Sequence, residues 1–189
     1  MGPFFGGLRS PRSIAHNGKR LNELLDAHLK FHLGQPGGER ADLSGADLSR
    51  ADLREVNLTD AILVRARLEN ANLQKAKLSR ADFSGANLRG ADLRSTDMTE
   101  ARLPGADLTG AQVSGVELFR CDLSNCVFER AILRNTNFRL SNVNGARFHG
   151  ADMNIAILRE TDLSGADLSG VDLSTTLMPR DYKPVLTKK

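Results

Sequence analysis

Residues 39–58, from Glu39 to Leu58, read ERADLSGADLSRADLREVNL, and Ala-Asp-Leu returns every five positions. A period of five belongs neither to an α-helix, at about 3.6 residues per turn, nor to a strand, at about 2. Taken forward from Ala41, the frame runs to Arg180 without a slip, giving 140 residues or 28 blocks of five. The third position of the block holds 19 Leu, 4 Phe, 3 Met and 2 Val. The first position is Ala in 18 blocks and otherwise Val, Thr, Cys or Ser. No charged residue enters either position, while charges fill the other three freely. Two of every five positions therefore encode a core, in one unbroken register.

Tandem A(D/N)LXX blocks resemble the pentapeptide-repeat family, over about three quarters of this chain. The resemblance implies an all-β fold, a right-handed quadrilateral parallel β-helix with one block per side and four blocks per coil. At that rate the 28 blocks make about seven coils. Physical sense agrees, since a narrow square coil has room for one Leu per side and only small residues beside the corners. Stacked at the usual strand spacing, seven coils make a rod about 34 Å long. Each coil touches only its neighbours, so no single coil is stable alone.

The fifth position is Gly in ten blocks and Asn at 70, 125 and 135. Gly and Asn tolerate the positive φ that a type II turn needs at its third residue. Those corners are expected to be type II, with Pro104-Gly105 as one example, and the Arg-, Lys- and Glu-bearing corners a different turn. Asp or Asn fills 17 of the 28 second positions. Such a ladder is expected to face water and bond locally to corner backbone, because acid–base or metal work needs a cleft that a convex rod lacks.

Ahead of the repeat, Leu21, Leu24, Leu25, His28, Leu29 and His32 share one helical face, with Asn17 as candidate N-cap and Gly34 and Pro36 as the stop. The stretch from His28 and Phe31 to Glu39-Arg40 resembles the helical lead-in of many family members and is expected to cap the first coil. The chain thus divides into a disordered tail (1–16), a helical cap and linker (17–40), the repeat body (41–180) and a basic tail (181–189). At the far end Leu177, Met178, Tyr182, Val185 and Leu186 form no visible cap, leaving an open end for homodimerisation.

Net charge is +3. Residues 1–40 carry six cations against three anions, and 181–189 three against one, so the body stands at −2. With no basic stripe and few aromatic residues, direct nucleic-acid binding is not expected. Two cysteines make no disulfide framework, and no apolar run reaches the ~18 residues of a membrane span, so a cytoplasmic protein is expected. Cys121 and Cys126 occupy first positions and are expected to be buried and free; Phe128 and Phe148, twenty apart, should stack inside. His28 and His32 have the spacing of a zinc pair without further ligands, and neither a metal nor a cofactor is expected.

Apolar residues at outward positions are the exceptions to the rule. Phe119, Leu140 and Ile157 fall on one face in three successive coils, with Ile155 around the corner and Arg120, Arg139 and Arg159 alongside. A contiguous apolar set rimmed by charge marks an interaction surface. The expected function is therefore a non-enzymatic protein-binding or scaffold rod using these seven residues. The alternative comes from the resemblance, since some family members bind DNA gyrase as imitations of duplex DNA. The columns here do not favour it, because cations interrupt anions: Asp42, Ile62, Asp82, Arg102, Asp122, Asn142, Asp162.

Overall fold

The computed structural model describes residues 7–182. Its body is a ladder of parallel bridges joining residues twenty apart, from Asp42↔Ile62 through Asp82↔Arg102 to Ile157↔Leu177. Four blocks thus separate each residue from the one stacked upon it, and each second-position residue sits in the middle of a short extended side. From Ala41 to Leu158 every first- and third-position side chain is buried except Val56, which is half-buried. The core is a column of Leu with Ala beside it. Phe128 and Phe148 stack at 5.0 Å between centroids, nearly parallel, and Phe138 meets both edge-on.

One block shows why the repeat needs its residues. Phe83 and Gly85 donate their N–H groups upward, to Arg102 O at 2.7 Å and Pro104 O at 2.9 Å, while Asp82 donates downward to Ala61 O at 2.9 Å. The Ala86 N–H turns the corner onto Phe83 O at 2.9 Å. Only the fourth N–H, that of Ser84, has no ladder partner, and the Asp82 carboxylate takes it at 2.9 Å. All seventeen second-position Asp and Asn side chains accept that same bond two residues on. The side chain supplies what the backbone cannot, as in an Asx turn.

The corners depart from expectation. Every fifth-position residue from Gly45 to Glu160 has φ between 52° and 72°, whether it is Gly, Asn, Arg, Lys or Glu. There is one corner conformation, and the ladder imposes it on sixteen residues that are not glycine. Left-handed backbone costs an L-residue roughly 1–2 kcal/mol. Cooperative stacking against the neighbouring coils overrides that local preference. Only in the last coil does the rule lapse, at Gly165, Thr175 and Arg180.

The lead-in also differs from its sequence reading. Residues 7–16, expected to lack structure, are tied to the rod; the rest of that tail lies outside the described residues. Arg9 pairs in parallel with Ala51, receiving the Asp52 N–H at 2.9 Å and donating to Arg50 O at 2.7 Å. It stands where a preceding coil would stand. A 3-10 turn, Pro11–Ser13, leads to a two-strand hairpin, β1 (Ala15–His16) and β2 (Lys19–Arg20). Asn17 is not a helix cap: with φ 49°, beside Gly18 at φ 78°, it makes the Asn-Gly hairpin turn. The helix α1 (Leu21–His32) starts instead at Arg20, whose N–H bonds Glu23 Oε2 at 3.0 Å.

α1 buries Leu21 and His28 and lays Leu24 and Leu25 on the core, while Leu29, Phe31 and Leu33 stay exposed. Gly38 passes so close to the helix end that a Cβ there would lie 2.4 Å from Phe31 N. This crossing brings the chain under the first coil. There the fully buried His28 accepts the Ala41 N–H on Nδ1 at 3.0 Å. His32 bonds Thr59 O, the Arg40 guanidinium donates to Asp60 O, and Arg9 Nη1 reaches Ser49 O at 3.2 Å. The lower rim of the rod, rich in carbonyls, is thus met by donor side chains.

Candidate partner-binding face

The fourth side of each coil, built from the blocks starting at Val56, Ala76, Thr96, Val116, Thr136, Ala156 and Thr176, carries most of the predicted site. Within each block the second side chain stands at mid-side, and the fourth and fifth at the following corner. Its fifth-position column reads Asp60, Arg80, Glu100, Arg120, Leu140, Glu160, Arg180. The charges pair along it: Asp60–Arg80 at 2.7 Å and Glu100–Arg120 at 3.8 Å. Leu140 interrupts this alternation with 45% of its surface exposed and a φ of 59°. Ile155, at the preceding corner, is 53% exposed with a φ of 52°. Between these two edges lie Ile157, half-buried at mid-side, and Leu177 stacked above it. Sequence position alone groups Leu177 with the open end, yet it extends this surface with 41% exposure.

Phe119, half-buried, is covered by its neighbour, with the Arg120 guanidinium 5.0 Å from the ring centroid. Arg139 makes an ion pair with Glu160 at 2.9 Å. Arg159 is exposed near the open end, where it lines a hollow together with Leu163, Leu168 and Tyr182. The three arginines therefore differ: one shields an aromatic ring, one neutralises a carboxylate, and one lies at the corner beside the open-end hollow.

Beneath the surface lies a second bonding rule that sequence reading missed. Where the first position is Thr, Ser or Cys, its side chain donates to a third-position carbonyl, 23 residues earlier in all but Thr96, which bonds Leu93 O at 2.8 Å. Thr136 bonds Val113 O at 2.7 Å, Thr161 bonds Phe138 O at 2.7 Å and Cys126 bonds Leu103 O at 2.8 Å. Ser141 goes further, donating to Leu118 O while its oxygen accepts the Cys121 N–H at 2.8 Å. The hydroxyl thereby enters the corner bond under Phe119. A signal existed, since small polar residues at first positions recur at 96, 136, 141, 161 and 176. Cys121 and Cys126 are free and buried, and burial pushes the Cys121 thiol up to about 12 and Cys126 higher still. Neither is a nucleophile at neutral pH.

The carboxylates gather no chemistry of their own. Arg67 reaches Asp47 at 3.2 Å, Arg89 reaches Asp107 at 2.9 Å and Arg134 reaches Asp152 at 2.6 Å. Hydrogen bonds from Ser44 hold the Asp42 carboxyl below its ordinary value, and the Ser164 backbone does the same for Asp162. These are ionised corner caps. Among the described residues no three His, Cys, Asp or Glu side chains are grouped to hold a metal ion. No helix among them is long and apolar enough to cross a membrane.

A solvent-facing parallel solenoid, with polar corners and its apolar exceptions gathered on one side, is the architecture of a repeat protein. The pentapeptide-repeat family model matches this chain in overlapping stretches across residues 39–74, 76–115, 86–125, 121–159 and 152–174. The chain belongs to the pentapeptide-repeat family. The chain is also similar to solved structures. One is a trypsin-treated variant of QnrB1, a plasmid-mediated fluoroquinolone resistance protein, 26% identical with a TM-score of 0.71 over 75% of this chain and 71% of that one. A second QnrB1 variant, 24% identical with a TM-score of 0.70 over 75% and 73%, shares the fold. HetL, involved in heterocyst differentiation regulation in Nostoc sp. strain PCC 7120, is 26% identical over 76% and 87% with a TM-score of 0.40. No curated protein matches the chain.

Proposed function

We propose that this chain is a cytoplasmic, non-enzymatic binding rod, a right-handed square solenoid of about seven coils that holds a protein partner on the fourth side of its C-terminal half. One observation carries the reading. Leu140 and Ile155 are unfavourable twice over, being exposed apolar side chains in left-handed backbone, and Ile155 is β-branched as well. Gly stands at ten other corners and removes both penalties. Residues that weaken the fold where glycine is available serve something other than the fold. The test follows from that conflict. Leu140→Gly and Ile155→Gly should leave the melting temperature unchanged or raise it, while abolishing capture of the partner from bacterial lysate. A fall in melting temperature with capture intact would make the two residues structural.

A second reading rests on the likeness to QnrB1 and on the family resemblance: regulation of DNA gyrase. The paired, alternating charges along the rod count against imitation of a phosphate backbone. Supercoiling by purified gyrase, unchanged at excess rod, removes this reading, and protection from a fluoroquinolone supports it. Self-association through the open end is a separate proposal, supported by the half-exposed Leu163, Leu168, Leu173 and Met178. Sedimentation equilibrium decides it, with a monomer at high concentration against it.

A further inference from the structure

We infer that the partner segment seated on this side is an amphipathic α-helix whose apolar stripe is bordered by carboxylates, an inference that rests on the binding face proposed above. The first ground is backbone accounting. On the sides of the rod the extended backbone already pairs with the coils above and below, as Asn137 N–H to Val116 O at 3.0 Å and Ile157 N–H to Thr136 O at 2.9 Å illustrate. Such a side offers no edge to which a strand could add. A segment lying on it must satisfy its own N–H and C=O groups, and a helix does so.

The second ground is shape. Leu140 and Ile155 stand at opposite corners and are more exposed than Ile157 and Leu177 at mid-side between them. The side is thus a shallow trough with raised edges. Three extended residues separate the corners, roughly 10 Å, close to the 10–12 Å diameter of a helix. From Phe119 to Leu177 the trough runs three coil steps, about 14 Å, or between two and three helical turns. The coil spacing of about 4.8 Å stays nearly in step with a 5.4 Å turn over that length.

Charge supplies the border. In the fourth-side blocks of the first three coils, Lys77 and Arg80 face Asp60, Asp97 and Glu100, a balance of −1. In the remaining four, Arg120, Arg139, Arg159 and Arg180 face only Glu117 and Glu160, a balance of +2. The cationic excess begins where the apolar residues begin. A helix with Glu flanking its apolar stripe complements it, and one with Lys does not.

Three stapled synthetic peptides make the test: a helix with Leu at i, i+3, i+4 and i+7 flanked by Glu, the same helix flanked by Lys, and the Glu version with two central prolines. Binding to the intact chain is read by fluorescence anisotropy at low and moderate salt. The Glu helix should bind at least tenfold more tightly than either control. Its affinity should fall with salt, weaken severalfold for Arg159→Glu, and vanish for the Leu140→Gly, Ile155→Gly rod. Equal binding of the Lys or proline peptide overturns the inference, as does binding that survives the double change. If no peptide binds while lysate capture still depends on Leu140 and Ile155, the helix is wrong and the face stands; if both fail, the face falls too.

Discussion

The two ends of the rod are made of the same blocks and finished differently. At the lower end, Arg9, His28, His32 and Arg40 each bond a backbone group that has no coil beneath it. At the upper end the last coil bridges the coil below at only two places, Arg147↔Asp167 and Ile157↔Leu177, and three of its four corners leave the common conformation. Leu163, Leu168 and Leu173 are accordingly half-buried around a hollow of about 1260 Å³, and Met178 is half-buried as well. A block is therefore only as regular as its neighbours make it. The five-residue code specifies a coil given a coil on each side, and the ends need something else.

The strongest attack on that contrast places a charge in the column. Leu93→Asp, with Leu93 at 0% exposure, should cost about 4 kcal/mol or more, on the order of a buried unpaired charge, whereas Leu168→Asp should cost less than half as much. Urea unfolding of both variants measures it, and equal losses would mean that the upper end is closed in solution. Next in size is the cap. His28→Phe keeps the bulk but leaves the Ala41 N–H without an acceptor, about 2 kcal/mol, and should speed hydrogen exchange in the first coil before the last. Tyr182→Ala at the opposite rim should change stability by under about 0.5 kcal/mol.

Acid separates the ends by a different route. Burial, with help from His32 and Arg40, holds His28 below its ordinary value, against the raising influence of the Thr59 carbonyl and Asp60. The unfolded chain takes up that proton first, so the stability from neutral His28 is complete above about pH 6.5 and declines as pH falls below it. The corner aspartates Asp42, Asp162 and Asp172 are depressed from 3.8, so their contribution is lost only in the carboxylate range. Hydrogen exchange should show the first coil loosening between about pH 6 and 5, ahead of the rest, and His28→Phe should abolish that early phase. The smallest effect concerns one corner. Asp92 accepts from the Arg94 N–H, the Arg94 guanidinium and Gln74, so Asp92→Ala is expected to cost about 1 kcal/mol rather than nothing. Asp162→Ala, with a single backbone donor in the loosened coil, should cost clearly less.

These contrasts mark where sequence reading works. The third-position Leu and first-position Ala are legible because burial acts on residue type directly, and the Phe128–Phe148 stack follows from register alone. Corner conformation is not legible, because Arg80 and Glu100 adopt φ near 60° under the pull of two neighbouring coils, a force that local propensity does not contain. Residues 7–16 carry no periodicity, since a segment that satisfies an edge needs donors at a few points and no repeating pattern. Leu140 and Ile155 stand out in the sequence as breaks in the polar rule. Their strain becomes visible only with the backbone; fourteen polar corners share it, and it is the joining of that strain to an exposed apolar side chain that makes the pair a functional candidate.

The direction of the ladder bonds has an electrical consequence. Each block sends two N–H groups up the axis and one down, leaving one peptide dipole of about 3.5 D uncancelled, and four such blocks complete a coil. The rod is thus a macrodipole comparable per unit length to an α-helix, with on the order of half an elementary charge at each end. Its negative pole is the carbonyl rim, where Arg9, His32 and Arg40 are found. Its positive pole is the open mouth, so whatever closes that end is favoured if it brings oxygen atoms rather than amines.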